Sequence, residues 1–371
     1  MVRAPPHVTR NRRRTDVQRG APAWVHSAVV GTYRAVLLRG RGGLDQLEVA
    51  ELPIVDPRPG ELRVRVRAAG AGSTDLIMRK GRYPYAPPFP LVPGYEVVGD
   101  VDAIGDGVGG FTVGQRVCAL VVHGGQAELL VREAAHFVAV PDGLDDAEVV
   151  ALILNYATAY QMIHRVAAMQ PGHSALVTGA NGGVGSAALE LLRPLGGKVL
   201  GAASAKHFDF VRGLGAEPIE ARGAPLDQAV RKILPDGVDV ALDGLGGAGT
   251  GACIRATRRG GHVVGYGFMA TTTRAGGGFS TTAVARGMAS LFVGARLRGR
   301  RGHFFGITQV YRRDREPFKA DMLKLFDLLR ARTIRPRIAV KLPLLAGAAA
   351  QQLLEAGGIE GKIVLSRDVP P

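Results

Sequence analysis

Apolar and polar positions along the chain fall into two textures. Between residues 175 and 267, short apolar runs alternate with helix-length stretches. Ala175-Leu176-Val177 reads as the end of a buried strand, and Ser186-Ala187-Ala188-Leu189-Glu190-Leu191-Leu192 as a helix. Lys198 to Ala203 predicts a second strand, and Phe208 to Leu214 a helix stopped by Gly215-Ala216. Pro218-Ile219 begins a short third strand, and Leu226 to Leu234 is another helix. Val238 to Leu242 and His262 to Gly267 complete the set. Such alternation predicts an α/β domain with a doubly wound parallel sheet. Earlier in the chain, Glu61-Leu62-Arg63-Val64-Arg65-Val66-Arg67 alternates with period two, and Gly and Pro divide short apolar runs. That texture predicts a small, twisted, β-rich domain.

Between the first strand and its helix lies Val177-Thr178-Gly179-Ala180-Asn181-Gly182-Gly183-Val184-Gly185. Strand, glycine turn, helix is the context of a dinucleotide-binding loop. Ala180, Gly182 and Gly185 stand at the spacing of the three glycines of GxGxxG, with Ala in first place. Gly182 lets the backbone approach a pyrophosphate, and Gly185 lets the helix pack closely on its strand. The helix N-terminus offers free N–H groups to phosphate. Ala180, Asn181, Gly182, Gly183, Val184 and Gly185 are therefore expected to bind the cofactor. NAD-binding loops of this kind place an acid at the end of the second strand. Here that point reads Ala202-Ala203-Ser204-Ala205-Lys206, with no carboxylate. Ser204 and Lys206 suit a 2′-phosphate, so NADP(H) is the expected cofactor. Gly265, Tyr266 and Gly267 follow a strand at its C-terminal end, where open α/β sheets bind ligands, and are expected to contact the cofactor through their backbone.

The length of 371 residues accommodates two domains, and 46% hydrophobic with 21% charged residues suits a soluble enzyme. The only cysteines, Cys118 and Cys253, cannot build a disulfide framework or a Cys-rich zinc site. A reducing, cytoplasmic setting is expected, and no apolar run reaches membrane-spanning length. The net charge of +15 is uneven. Arg3, Arg10, Arg12, Arg13, Arg14 and Arg19 face one acid, Asp16, so residues 1–31 read as a disordered basic tail. This tail lacks the apolar stretch of a secretory signal. A transit peptide and a start codon placed too early both stay open. A second basic cluster holds Arg296, Arg298, Arg300, Arg301, Arg312, Arg313 and Arg315. No nucleic-acid-binding motif accompanies it, so a solvated basic surface is the expected reading.

Several phrases carry a resemblance. They are Tyr33-Arg34-Ala35-Val36, Arg79-Lys80-Gly81-Arg82-Tyr83-Pro84, Pro93-Gly94-Tyr95-Glu96-Val97-Val98-Gly99, Gly114-Gln115-Arg116-Val117, Asn155-Tyr156-Ala157-Thr158-Ala159-Tyr160-Gln161 and Gly361-Lys362-Ile363-Val364-Leu365. In order and spacing, from about residue 32 to 366, the chain resembles the medium-chain dehydrogenases/reductases, in the zinc-free quinone oxidoreductase (zeta-crystallin-like) branch. The resemblance implies a GroES-like β-rich catalytic domain over 32–155, a Rossmann NADP-binding domain over 156–309 and a C-terminal return to the catalytic domain over 310–371. It also implies a cleft between the domains and a homodimer joined along an edge strand at His303-Phe304-Phe305-Gly306-Ile307.

The zinc enzymes of this superfamily hold catalytic zinc at positions that match Gly72, Tyr95 and about Leu154 here, and none of these is a zinc ligand. Glu96 remains of the motif, and no metal is expected. The resemblance implies Tyr83 and Thr158 as catalytic residues: Tyr83 as hydrogen-bond or proton donor to the acceptor, Thr158 beside the nicotinamide. Lys362 is expected to reach the cofactor, Asn155 and Tyr156 to line the domain junction, and His123 to stand as a weaker proton-relay candidate. One departure is Gly72, where many quinone oxidoreductases carry Asn; Ser73 or Thr74 would have to substitute. Thr271 to Thr282 reads as a Gly- and Thr-rich flap or an unstructured loop.

The expected function is NADPH-dependent reduction of a quinone or α,β-unsaturated carbonyl, a small-molecule substrate. One alternative is an enoyl reductase acting on a carrier- or CoA-linked chain. Another is a non-enzymatic NADPH-binding protein with RNA- or membrane-binding basic patches.

Overall fold

The computed structural model describes residues 31–221, 225–267 and 281–370. It opens with an antiparallel pair, β1 (Thr32–Leu38) and β2 (Leu47–Pro53). The alternating segment becomes β3 (Glu61–Ala71), in which Leu62, Val64 and Val66 are buried. One edge of β3 pairs with β4 (Glu96–Ile104), which continues the sheet to β5 (Arg116–Leu120). The first residues of the other edge pair with β6 (Leu129–Glu133), while β7 (Phe137–Ala139) pairs with β5.

A helical stretch then runs from Asp146 to Val166, with π-helical turns at Leu152–Tyr156 and Gln161–Val166. Asp145 caps it by accepting from Ala147 N and Glu148 N, both at 3.0 Å. Its first turns lie against β3 and β4, and its later turns against the helix Gly183–Leu192. The boundary expected between residues 155 and 156 thus falls inside a helix that touches both halves.

The next six strands are β8 (Ala175–Thr178), β9 (Val199–Ala203), β10 (Glu217–Glu220), β11 (Val238–Asp243), β12 (Thr257–Gly265) and β13 (Arg301–Phe304). They form one sheet in the order β10-β9-β8-β11-β12-β13, with every pairing parallel. By order of appearance this is the 3-2-1-4-5-6 doubly wound arrangement, with its switch point between β8 and β11. Every residue of β8 and β9 is buried, as strands covered on both faces must be. The edge strand is β13, shorter than expected. Phe305 still donates to the Gly265 carbonyl at 2.8 Å, and Gly306 then starts the helix Ile307–Arg313.

β14 (Ile338–Pro343) and β15 (Lys362–Ser366) return to the first sheet, β15 lying antiparallel to β3. One buried cluster runs through both halves, from Val98 and Leu120 through Val150 and Ile153 to Val177 and Leu242. The result is the expected α/β architecture, a GroES-like β-rich part with a Rossmann sheet. Among the described residues no helix is long and apolar enough to cross a membrane. The basic tail through residue 30 and most of the Thr271–Thr282 segment lie outside the described residues.

Candidate active site

The glycine turn follows β8 at the switch point. Gly179 has φ +65°, the left-handed region that favours glycine. The tight bend is therefore made at Gly179. Ala180, aligned with the first glycine of the motif, is fully buried, and its N–H donates to the Ala202 carbonyl at 3.2 Å. A Cβ on Gly185 would collide with the Gly179 carbonyl oxygen, so the close helix–strand approach does require glycine there. Gly182 differs: a Cβ would meet only the Gly179 oxygen, at 3.4 Å. That is ordinary contact, so protein packing does not demand glycine at 182 as it does at 185. A Cβ on Gly183 would run into the Asn155 side chain, which places Asn155 against the helix N-terminus. Val184 is half-buried in the first turn.

The C-terminal return clamps this turn. Asn181 Nδ2 donates to the Ile359 carbonyl at 3.1 Å, Gly361 N donates to the Asn181 carbonyl at 3.0 Å, and Gly182 and Gly361 form a β-bridge.

Across the switch point, Asp243 ends β11 and is 1% exposed. Its carboxylate accepts from Thr178 Oγ1, Leu245 N, Gly246 N and Thr250 Oγ1 at 2.8–3.2 Å. Sequence reading missed it, because its partners come from β8 and from the turn and helix that follow β11. Tyr266 N donates to the Asp243 carbonyl at 2.9 Å, and the Tyr266 hydroxyl turns back toward the Thr178 carbonyl. Burial pushes its phenol pKa up. Gly265 and Gly267 are tightly packed: a Cβ would press on Leu291 at 3.0 Å in the first case and collide with the Gly244 carbonyl in the second.

At the end of β9, Ser204 precedes a short 3-10 turn, and the exposed Lys206 lies over Gly358, beside the segment that clamps Asn181. This loop is not free of carboxylate, as its own sequence suggests. Glu220, delivered by β10, accepts from Ala205 N at 3.1 Å. Strand pairing across β9 and β10 brings it there.

On the first sheet, the Tyr83 hydroxyl lies 2.6 Å from the Tyr95 hydroxyl and 2.8 Å from Thr308 Oγ1. Arg312 stacks over Tyr85, 4.9 Å from the ring centroid, and Tyr85 meets Tyr83 edge-on. Thr158 is 5% exposed, and its Oγ1 has no hydrogen-bond partner among the described residues. It sits in the middle of the Asp146–Val166 stretch. Tyr156, by contrast, is engaged: its hydroxyl donates to Glu190 at 2.7 Å.

Lys362 begins β15. It is 4% exposed and its ammonium pairs with Glu96, so it is not free to reach a cofactor without breaking that pair. Its predecessor Gly361 makes the contact to the glycine turn instead. Glu96 is fully buried with Oε2 unpartnered. Nearby Asp75 accepts from Gly72 N at 2.9 Å and Gly94 N at 3.0 Å; burial pushes its carboxyl up to about 6. His123 is pushed down to about 4 by burial and by Arg132 and Arg312, and the Arg132 guanidinium lies 3.2 Å from its Nδ1. A neutral imidazole held in this way is a poor proton relay.

These contacts close a ring. Gly265 binds Phe305, Thr308 follows and binds Tyr83, and Tyr83 binds Tyr95. Glu96 is next in sequence and binds Lys362, whose neighbour Gly361 binds the glycine turn.

A family profile described as "Alcohol dehydrogenase GroES-like domain" matches residues 58–142, and one described as "Zinc-binding dehydrogenase" matches residues 214–365. The synaptic vesicle membrane protein VAT-1 homolog of Mus musculus is 39% identical over 239 residues, 63% of this chain and 59% of that protein. The match therefore spans less than two thirds of the mouse relative. The homolog of Danio rerio is 33% identical over 350 residues, 91% of this chain and 70% of that protein. A crystal structure of a quinone oxidoreductase from Pseudomonas syringae pv. Tomato DC3000 superposes with a TM-score of 0.79 at 26% identity, covering 90% of this chain and 99% of that one. The chain belongs to the medium-chain dehydrogenase/reductase family, in the zinc-free, quinone oxidoreductase-like branch that includes the VAT-1 homologues.

The zinc of the second profile's name does not fit these residues. Gly72 offers no side chain, the Tyr95 hydroxyl is bound to Tyr83, and Leu154 is apolar.

Proposed function

We propose that this chain is an NADPH-dependent oxidoreductase that reduces a quinone or an α,β-unsaturated carbonyl without zinc. The observation that carries the reading is the Tyr83–Tyr95–Thr308 hydroxyl cluster. It includes Tyr95, which the resemblance sets at a zinc enzyme's ligand position, and it is joined by contacts to the glycine turn.

The Ala180–Gly185 turn would hold the pyrophosphate, and Ser204 with Lys206 the 2′-phosphate, against the opposing charge of Glu220. Thr158, with its unpartnered hydroxyl, and the backbone of Gly265–Gly267 would border the nicotinamide. A reduced nicotinamide supplies hydride when bound. The chain's own work is to hold the acceptor in reach and to offer the Tyr83 O–H to the acceptor oxygen. Without a Lewis acid, acceptors that spread charge to a distant oxygen are favoured. The solved quinone oxidoreductase at 26% identity supports a quinone. The surplus of positive charge, +15, supports an acyl chain on an acidic carrier as the second reading. A homodimer along β13 belongs to the same proposal, supported by the exposed Phe292 and Val293 on the neighbouring helical turn.

The test is NADPH consumption by the purified protein with a quinone, an enone and an enoyl thioester in parallel, and NADH as control. Turnover with the quinone or enone is expected. Preference for the thioester selects the second reading, and no turnover with any of the three overturns both.

A further inference from the structure

The three hydroxyls of Tyr83, Tyr95 and Thr308 carry three protons but make only two hydrogen bonds among themselves. One proton is left over, and burial decides whose. Tyr95 is 3% and Thr308 2% exposed, and for each the Tyr83 oxygen is the hydrogen-bond partner among the described residues. Tyr83 is half-buried. A buried O–H that points at nothing is destabilising, because its desolvation is not offset by a hydrogen bond. The arrangement that avoids this has both buried hydroxyls donating to Tyr83, whose oxygen accepts both. Tyr83 then has no internal acceptor, and its proton points to the open side.

We propose that Tyr95 and Thr308 are positioning residues: as buried donors to the Tyr83 oxygen, they leave the Tyr83 O–H as the cluster's one free proton and aim it at the acceptor oxygen. The inference rests on the reading of Tyr83 given above. It assigns a role to Tyr95 and to a threonine 225 positions from Tyr83 in sequence. A phenol that accepts two hydrogen bonds is polarised into a better donor. The electrostatics agree. Burial raises the Tyr83 pKa, but the bonds from Thr308 and Tyr95 pull against it. For Tyr95, burial raises the pKa.

The test combines turnover with tyrosine titration in Tyr83→Phe, Tyr95→Phe, Thr308→Val and Thr308→Ser. Tyr95→Phe and Thr308→Val are each expected to lower kcat roughly tenfold, with the NADPH KM within about twofold, and Thr308→Ser to restore turnover. Neither should lower turnover further when Tyr83 is already Phe, because each acts only through Tyr83. Full additivity with Tyr83→Phe, or no loss in Tyr95→Phe and Thr308→Val while Tyr83→Phe is impaired, overturns the proposal. If Tyr83→Phe keeps wild-type turnover, or no acceptor is reduced, the functional reading fails, and a readout independent of activity decides the proposal. In carbon-labelled tyrosine NMR, with the Tyr83 signal assigned from Tyr83→Phe, the Tyr83 pKa should rise in both Tyr95→Phe and Thr308→Val. An unmoved Tyr83 pKa overturns the assignment.

Discussion

The glycine turn and the hydroxyl cluster are built by opposite routes. The turn is nine consecutive residues, Val177 to Gly185, between one strand and one helix. The cluster joins Tyr83, Tyr95 and Thr308, the last 225 positions from the first, and exists only because the chain leaves the first sheet, builds the second and brings Thr308 back. A site made from one local segment shows its chemistry as a pattern of residue types. A site made from the ends of distant elements shows nothing until the topology is known. The difference also separates what each part tolerates: the turn is constrained by backbone shape, the cluster by which hydroxyl faces which.

A buried pair joins the two regions on one side, and breaking it should produce the largest effect. Tyr95 is followed by Glu96, and Gly361, bridged to Gly182, is followed by Lys362. Glu96 and Lys362 are 0% and 4% exposed and pair with each other. Lys362→Met leaves Glu96 charged, buried and alone, and should destabilise the protein by about 3–5 kcal/mol in chemical denaturation. Adding Glu96→Gln should recover much of that loss, since the penalty is the unpaired charge. A single substitution costing under about 1 kcal/mol would mean that water reaches the pair and that it does not join the regions.

Within the turn, the two glycines offer a sharper contrast. Gly185→Ala drives a methyl into the Gly179 carbonyl, and overpacking of this kind costs about 1–3 kcal/mol. Gly182→Ala meets no such obstacle, and its φ of −76° suits alanine. It should leave the thermal midpoint in place while weakening NADPH binding several-fold, because the methyl occupies the space assigned to the pyrophosphate. Equal losses of stability in the two variants would remove the argument for ligand space at Gly182.

The same contrast explains how far sequence reading went. β8, the glycine turn, its helix and the following strands were legible because each is a local pattern of apolar period and glycine punctuation. The left-handed bend falls on Gly179, one residue before the motif's first position, because motif spacing records residue types and not φ. Glu220 was invisible for a different reason: it is 16 positions from Ser204 and arrives only through the parallel pairing of β10 with β9. It makes the cofactor preference a balance of charges. Lys206→Glu should lower NADPH over NADH selectivity roughly tenfold, about 1.4 kcal/mol of differential binding. Glu220→Gln should shift selectivity the other way by less, since its carboxylate is already engaged with Ala205 N. Equal changes for both cofactors would detach Lys206 from the 2′-phosphate.

The smallest effect separates the regions by pH. The glycine turn, Val177 to Gly185, has no ionisable side chain. Of the shifted groups in the first sheet and its loops, three are moved far enough to change the proton balance between about pH 4 and pH 6.5. His123 and His136 are pushed from 6.5 down to about 4, chiefly by burial and by neighbouring arginines, and Asp75 is pushed from 3.8 up to about 6, chiefly by burial. Between about pH 6.5 and pH 4 the unfolded chain protonates these histidines and the folded one does not, so their stabilising contribution is lost as pH falls. Asp75 has the opposite sign: the folded form takes its proton first, which stabilises the native state over the same interval. Two losses oppose one gain, so the thermal midpoint should decline on acidification. His136→Gln should flatten the decline, keeping a partner for the Tyr311 hydroxyl now 3.0 Å from its Nδ1. Asp75→Asn should steepen it. A midpoint that stays level in the wild type and in both variants would show that these groups keep ordinary pKa values in the folded protein, and the first half would then be as insensitive to acid as the glycine turn.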